Sequence, residues 1–263
     1  MKILLLIFAP LLLLAKVHYA KVEPYESAVL KSAVSALVID VDLESEGKMI
    51  KKKRVIYLDD GLDRVNLKTS EESVLLLRQM LDINKDIAGS LSETVQRQES
   101  YYHRINKLST ASKTQKDNAY SAFSSAKTQY LNTREKIVSF QKQILDMQDR
   151  IAQLKDSIFK KSIVLEKKYL YEIIVRQGDF VAPGSPLARV VDTSLAKLVL
   201  FLEADELAHI DQKTVYLDDK KTEYKVDKIW RVADEKFISS YRAEIYISSP
   251  QMSFSKLMKV EIK

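Results

Sequence analysis

The stretch from about Ser70 to Ser162 constrains this chain more than any other. Its second half carries an apolar seam of Ala119, Phe123, Ala126, Tyr130, Thr133, Ile137, Phe140, Ile144, Met147, Ile151, Leu154 and Ile158. The steps alternate between four and three residues, the heptad rhythm of a coiled coil. The first half keeps the same beat through Val74, Leu77, Leu81, Asn84, Ala88, Leu91, Val95, Gln98, Tyr102 and Ile105. Asn84, Gln98 and Thr133 are its polar members, and single polar seam residues often set register. Neither Gly nor Pro occurs between Ser90 and Gln177, so nothing there breaks a helix interior. The pattern predicts two antiparallel helices, each about 60–70 Å long at 1.5 Å per residue.

Composition excludes several classes of function. The 263 residues suffice for two or three small domains, and the net charge of +6 is spread among neighbouring acids. No aromatic-and-basic surface of the kind single-stranded nucleic acid needs is visible. The densest cationic run, Lys51-Lys52-Lys53-Arg54, is expected to be a charged loop. With no cysteine there is no disulfide, thiolate metal site or cysteine nucleophile. His18, His103 and His209 are too scattered to suggest a metal site.

Met1 to Ala20 has the pattern of a secretory signal: Lys2, then an apolar run from Ile3 to Ala15, with cleavage expected after Ala20 and an uncleaved N-terminal anchor as the alternative. The run is shorter than the roughly 20 apolar residues that span a bilayer. From Val22 to Leu62 short strands are expected. Val34, Leu37, Ile39, Val41 and Leu43 recur near period two, and Asp59-Asp60-Gly61 reads as a closing turn. After the hairpin, Leu170–Arg176 is expected as a strand, Gln177-Gly178-Asp179 as a turn and Leu187–Val191 as the last strand of that segment. Aligning Gly47 with Gly178 places Ile50 on Val181, Lys53 on Gly184 and Ile56 on Leu187. Two similar half-motifs therefore bracket the helices, as they would if one small β-domain were split by an inserted hairpin.

Leu195 to Lys263 predicts a further small barrel. Expected strands are Leu198–Leu202, Val215–Leu217, Tyr224–Val232, Arg242–Ile247 and Met258–Ile262, with helical character at Ala204–Ile210. Turns are expected at Ala233-Asp234 and Ser248-Ser249-Pro250, and Trp230 is assigned to the core or rim.

The phrase from Val175 through Gly178, Asp179, Pro183, Gly184 and Pro186 to Leu187 and on to Asp192 resembles the second lipoyl half-motif of HlyD-like membrane fusion proteins. The closing run Phe254 to Lys263 resembles the end of that family's barrel, with Leu257 where a Gly is usual. The tip, Arg104-Ile105-Asn106-Lys107-Leu108 followed by Ser112 and Asp117, resembles the family's channel-docking signature with a shorter turn. Ser112-Lys113-Thr114-Gln115 is also a capping box, which opens a helix without any partner.

The resemblance implies an α+β chain: a long antiparallel coiled-coil hairpin inserted in a split lipoyl-like β-domain, followed by a small β-barrel. The implied domains are a signal peptide at 1–20, half-motifs at 21–64 and 163–195, the hairpin at 65–162 and the barrel at 196–263. It implies a periplasmic adaptor, peripherally associated with the inner membrane. Such an adaptor links an inner-membrane transporter (of ABC or resistance-nodulation-division type) to a TolC-like outer-membrane channel, as a homo-oligomer often of six copies. Arg104, Leu108, Ser112 and Asp117 are the implied channel-binding residues. No catalytic constellation or phosphate loop is recognisable, and no lysine sits at the Gly178-Asp179 turn to carry a lipoyl or biotinyl arm. No enzyme activity, cofactor or nucleic-acid partner is expected. The alternative is an exported coiled-coil scaffold with no channel contact.

Overall fold

A computed structural model describes residues 16–233, 239–248 and 254–263. The signal-like run up to Ala15, Asp234 and the Ser249-Pro250 pair lie outside the described residues. In chain order the elements are β1 (Val17–Lys31), β2 (Ala36–Val41), β3 (Lys48–Leu58), α1 (Gly61–Lys107), α2 (Lys113–Lys160), β4 (Ser162–Ile173), β5 (Phe180–Val181) and β6 (Pro186–Glu203). Then come β7 (Val215–Leu217), β8 (Lys220–Lys221), β9 (Lys228–Ala233), β10 (Ser240–Ile247) and β11 (Leu257–Ile262). They divide into two compact units. The first holds the described residues up to Ala33 with Asp40–Ile56 and Ile163–Lys263; the second holds Val34–Ile39 and Tyr57–Ser162.

The second unit is the hairpin. All 22 residues of the two expected seams are buried or half-buried, while most of their helix neighbours are exposed. The seam also reaches back beyond Val74, the first expected seam residue, through buried Ser70 and half-buried Leu67. The helix itself begins at Gly61. Asp59-Asp60-Gly61 is a helix start and not a strand-closing turn: the Gly61 amide donates to Asp59 Oδ1 at 3.0 Å. Asp60 accepts from Tyr57 at 2.5 Å and Arg64 at 2.9 Å. Burial works against the Asp60 carboxylate, but Arg64 and Tyr57 outweigh it and hold its pKa low. The roots of the helices are fastened to each other. Ser157 donates to Asp63 at 2.7 Å, Lys161 pairs with Asp63 at 2.9 Å, and the Leu58 amide donates to the Lys161 carbonyl at 2.8 Å. The polar seam residues do not reach across. Asn84 donates to the Met80 carbonyl at 2.8 Å and Thr133 to the Gln129 carbonyl at 3.0 Å, each within its own helix.

In the first unit the strands run in the order β3-β4-β6-β1-β11-β7-β8, with β10 pairing both β6 and β9. Turn glycines mark the two half-motifs: Gly47 has φ +70° and Gly178 +92°. Such values favour residues without Cβ. The aligned pairs Ile50/Val181 and Ile56/Leu187 are all buried. The match fails at Lys53, which lies inside the unbroken β3, whereas Gly184 turns at φ +91°. The run Lys51–Arg54 is accordingly strand and not loop. Lys53 pairs with Asp42, and Lys52 with Glu166 at 3.8 Å.

Several sequence expectations shift. Ala20, where cleavage was expected, sits inside β1, 1% exposed and paired with Met258. The 195/196 boundary falls inside β6, which runs on from the half-motif into the barrel. The inward face of β2 is Ala36 and Val38, not Leu37 and Ile39, which are exposed. Ala204–Ile210 is a series of turns with His209 at φ 55°, leading into a short 3-10 turn at Ile210–Gln212. There Glu206 accepts from the Glu203 amide at 2.9 Å and contacts His18 at 2.7 Å. The expected strand Tyr224–Val232 begins only at Lys228. Asp227 instead accepts from the Tyr246 amide at 2.7 Å. The barrel core holds Val22, Leu198, Leu200, Ile245, Ile247 and Val260. Trp230 is half-buried at its rim, with Lys228 Nζ 4.4 Å and Arg242 Cζ 4.7 Å from the ring.

The seam gives a direct test. Ile144→Ala, at a site 9% exposed, is expected to cost about 2–4 kcal/mol. Val138→Ala, on the exposed side of the same helix, is expected to cost less than about 0.5 kcal/mol. Urea unfolding followed by far-ultraviolet circular dichroism measures both, and equal costs would contradict the seam assignment.

Candidate functional site

The turn that joins α1 to α2 brings the four expected site residues to one end of the hairpin. Arg104 is exposed in the last turn of α1, where a cation also suits the helix C-terminus. Leu108 follows the last helical residue. Its backbone is extended, its amide donates to the Ile105 carbonyl at 3.2 Å, and it is 50% exposed. It has therefore left the helix face that Arg104 occupies. Ser112 is the N-cap of α2 and Asp117 lies exposed in the second turn. The capping box forms as expected: the Gln115 amide donates to Ser112 Oγ at 3.2 Å, and the Ser112 amide donates to Gln115 Oε1 at 2.8 Å. Behind the tip, Tyr102 stacks on Phe123 with centroids 6.2 Å apart and meets Tyr120 at 5.5 Å. A rigid aromatic base thus carries a small polar turn with one exposed leucine and basic side chains. Such a surface suits a protein partner. Among the described residues, no group of three or more acidic or histidine side chains is placed to hold a metal ion.

The structure also shows surfaces that do not stand out beside the seam in the sequence. On α1, Leu76, Met80, Ile83 and Ile87 are exposed large apolar side chains. Each lies one residue before a seam position. On α2, Leu131, Val138, Leu145 and Phe159 are exposed. Each lies one residue after a seam position, and the spacing is sevenfold if Ala152 is counted. One residue back on one helix and one forward on its antiparallel partner turn to opposite flanks of the pair, because each step rotates about 100°. The contacts Glu71–Lys155 at 3.0 Å and Tyr102–Phe123 fix the relative level of the helices. They set Ile87 level with Val138, and Met80 level with Leu145.

No protein-family model matches the sequence, and no curated protein matches it. Solved structures do. The crystal structure of MacA from Actinobacillus actinomycetemcomitans superposes with a TM-score of 0.72 at 14% identity, over 94% of this chain and 78% of that one. A MacA-MexA chimeric protein containing the Pseudomonas aeruginosa MexA α-hairpin domain gives 0.61 at 12% identity, over 95% and 81%. The membrane fusion protein Spr0693 from Streptococcus pneumoniae R6 gives 0.55 at 9% identity, over 95% and 99%. At such identities the likeness is one of fold. The chain has the fold of these proteins, an α-hairpin with β-domains.

The tip geometry makes the cap separable from partner binding. Ser112→Ala is expected to cost about 1 kcal/mol and to speed hydrogen exchange at the first amides of α2. Ser112→Asn, which keeps an acceptor, is expected to restore both. If Ser112→Asn exchanges as fast as Ser112→Ala, the hydroxyl is not acting as a cap.

Proposed function

We propose that this chain is a periplasmic adaptor that links an inner-membrane transporter to a TolC-like outer-membrane channel, for efflux or secretion. The observation that carries the reading is the hairpin itself. Two helices of 47 and 48 residues pack along an unbroken seam and end in a capped, exposed turn. A stiff arm with a small adaptable tip is what spanning between two membrane partners requires. The likeness in fold to membrane fusion proteins supports the same reading. Among the described residues, no helix is long and apolar enough to cross a membrane. Arg104, Leu108, Ser112 and Asp117 form the proposed channel contact, Arg104 by charge-assisted hydrogen bonds and Leu108 by burying its side chain.

The adaptor would act as a homo-oligomer, six copies by resemblance. Support comes from the flanks. An apolar stripe on α1 and another on α2, on opposite sides and at one level, allow the α1 flank of one copy to cover the α2 flank of the next. Contacts of that kind are heterologous, and they close into a ring when the rotation permits.

The test uses the absence of native cysteine. Ser109→Cys lies in the tip turn and spares the cap. Treated in cells with a bifunctional thiol reagent, it is expected to give an adduct in which mass spectrometry finds an outer-membrane channel. An exported, folded protein that yields only self-adducts or none would overturn the channel assignment and favour a scaffold without channel contact.

A further inference from the structure

The strand pair β1–β6 is not regular. Glu26 pairs with Asp192 and Pro24 with Ala196, so three residues of β6 stand against Tyr25 alone. Extra residues of this kind bend a strand. Asp192 holds the bend: the Ser194 amide donates to its Oδ1 at 2.9 Å and Lys168 donates to its Oδ2 at 2.6 Å. Lys168 and Ser194 together lower the Asp192 pKa to about 2. A second irregularity lies one strand away. The β4–β6 register shifts between Leu170 and Glu172, leaving Tyr171 as the extra residue, 53% exposed.

Between these two bulges the first unit opens a cleft of about 780 Å³, lined by Tyr169, Tyr171, Arg189, Val191, Met49 and Phe254 among others. This volume falls within the few hundred to about 1,000 Å³ usual for small-molecule sites. Val191 forms a buried part of the wall, while Met49 and Tyr171 stay about half exposed at the rim. Among the described lining residues Arg189 carries the sole formal charge; Ser27, Thr193 and Ser194 add hydroxyls. The Arg189 guanidinium lies 5.5 Å from the centroid of the Tyr171 ring. Its ion pair with Glu172 is 3.4 Å long and both partners are more than two-fifths exposed, so the pair is weak and a bound anion can compete with it.

We infer that this cleft binds an amphipathic organic anion: a flat apolar or aromatic body carrying one carboxylate or sulfonate. The body would lie against Tyr169, Tyr171, Met49 and Phe254, and the anionic group would meet Arg189. The inference does not depend on the adaptor reading, because it uses only the first unit.

The probe is 8-anilinonaphthalene-1-sulfonate, titrated into the full chain and followed by fluorescence, beside its uncharged analogue N-phenyl-1-naphthylamine. One saturable site per chain is expected. Arg189→Gln is expected to weaken the sulfonate about tenfold, the scale of one lost charge-assisted contact, and to leave the uncharged analogue nearly unchanged. Met49→Glu places a carboxylate on an exposed rim position, which folding tolerates, and is expected to weaken the sulfonate at least as much. Leu76→Ser with Val138→Ser, on the hairpin flanks, is the control and is expected to change nothing. The inference is overturned if no saturable site appears. It is overturned equally if neither cleft variant alters the affinity, or if the flank variant abolishes binding.

Discussion

Burial along the hairpin seam is the interaction on which the hairpin unit of this protein depends. Apart from the exposed Glu71–Lys155 pair toward the roots, nothing else described holds the helices together along their length. The chain has no cysteine to cross-link them, and Asn84 and Thr133 satisfy their hydrogen bonds within their own helices. Cross-helix polar contacts concentrate at the roots, where Asp63 joins Ser157 and Lys161. Long helices in water owe most of their stability to packing of an apolar face. Because the seam supplies this continuously, the tip is free to carry polar side chains, and both flanks can keep exposed apolar residues.

In the first unit, two long strands do a comparable job. β1 and β6 each pass from the half-motif region into the barrel and stay paired on both sides of their bulge. The join is thus main-chain hydrogen bonding and not a loose linker. The bulge makes room for the cleft, and the Lys168–Asp192–Ser194 contacts keep it bent. One irregularity in a strand pair therefore accounts for both a bend and a pocket.

What the sequence made legible follows from periodicity. The seam was readable residue by residue because helical burial repeats every three or four positions, and Ser112 was readable because capping boxes are local. The inward face of β2 was not legible because Leu37 and Ile39 are the larger apolar side chains, yet the smaller pair, Ala36 and Val38, is inward. Asp59-Asp60-Gly61 suits a turn or a helix start equally well, and the Tyr57 and Arg64 contacts to Asp60 decide between them. The polar run Asp192-Thr193-Ser194 read as the end of a strand, whereas β6 continues through it as a bulge. The flank stripes and the cleft were hidden for different reasons. The stripes are weaker echoes of the seam, and the cleft joins residues from five separate segments.

The claim most exposed to test is that the hairpin is built to pack beside copies of itself, flank to opposite flank. Two single-cysteine variants, Ile87→Cys and Val138→Cys, place thiols at one level on opposite flanks. The measurement is disulfide formation when the two variants are mixed under mild oxidation, resolved by mass on a non-reducing gel. The account predicts a crosslinked product joining one variant to the other, with little product from either variant alone. Efficient self-pairing of each variant, or no product from the mixture, would contradict it.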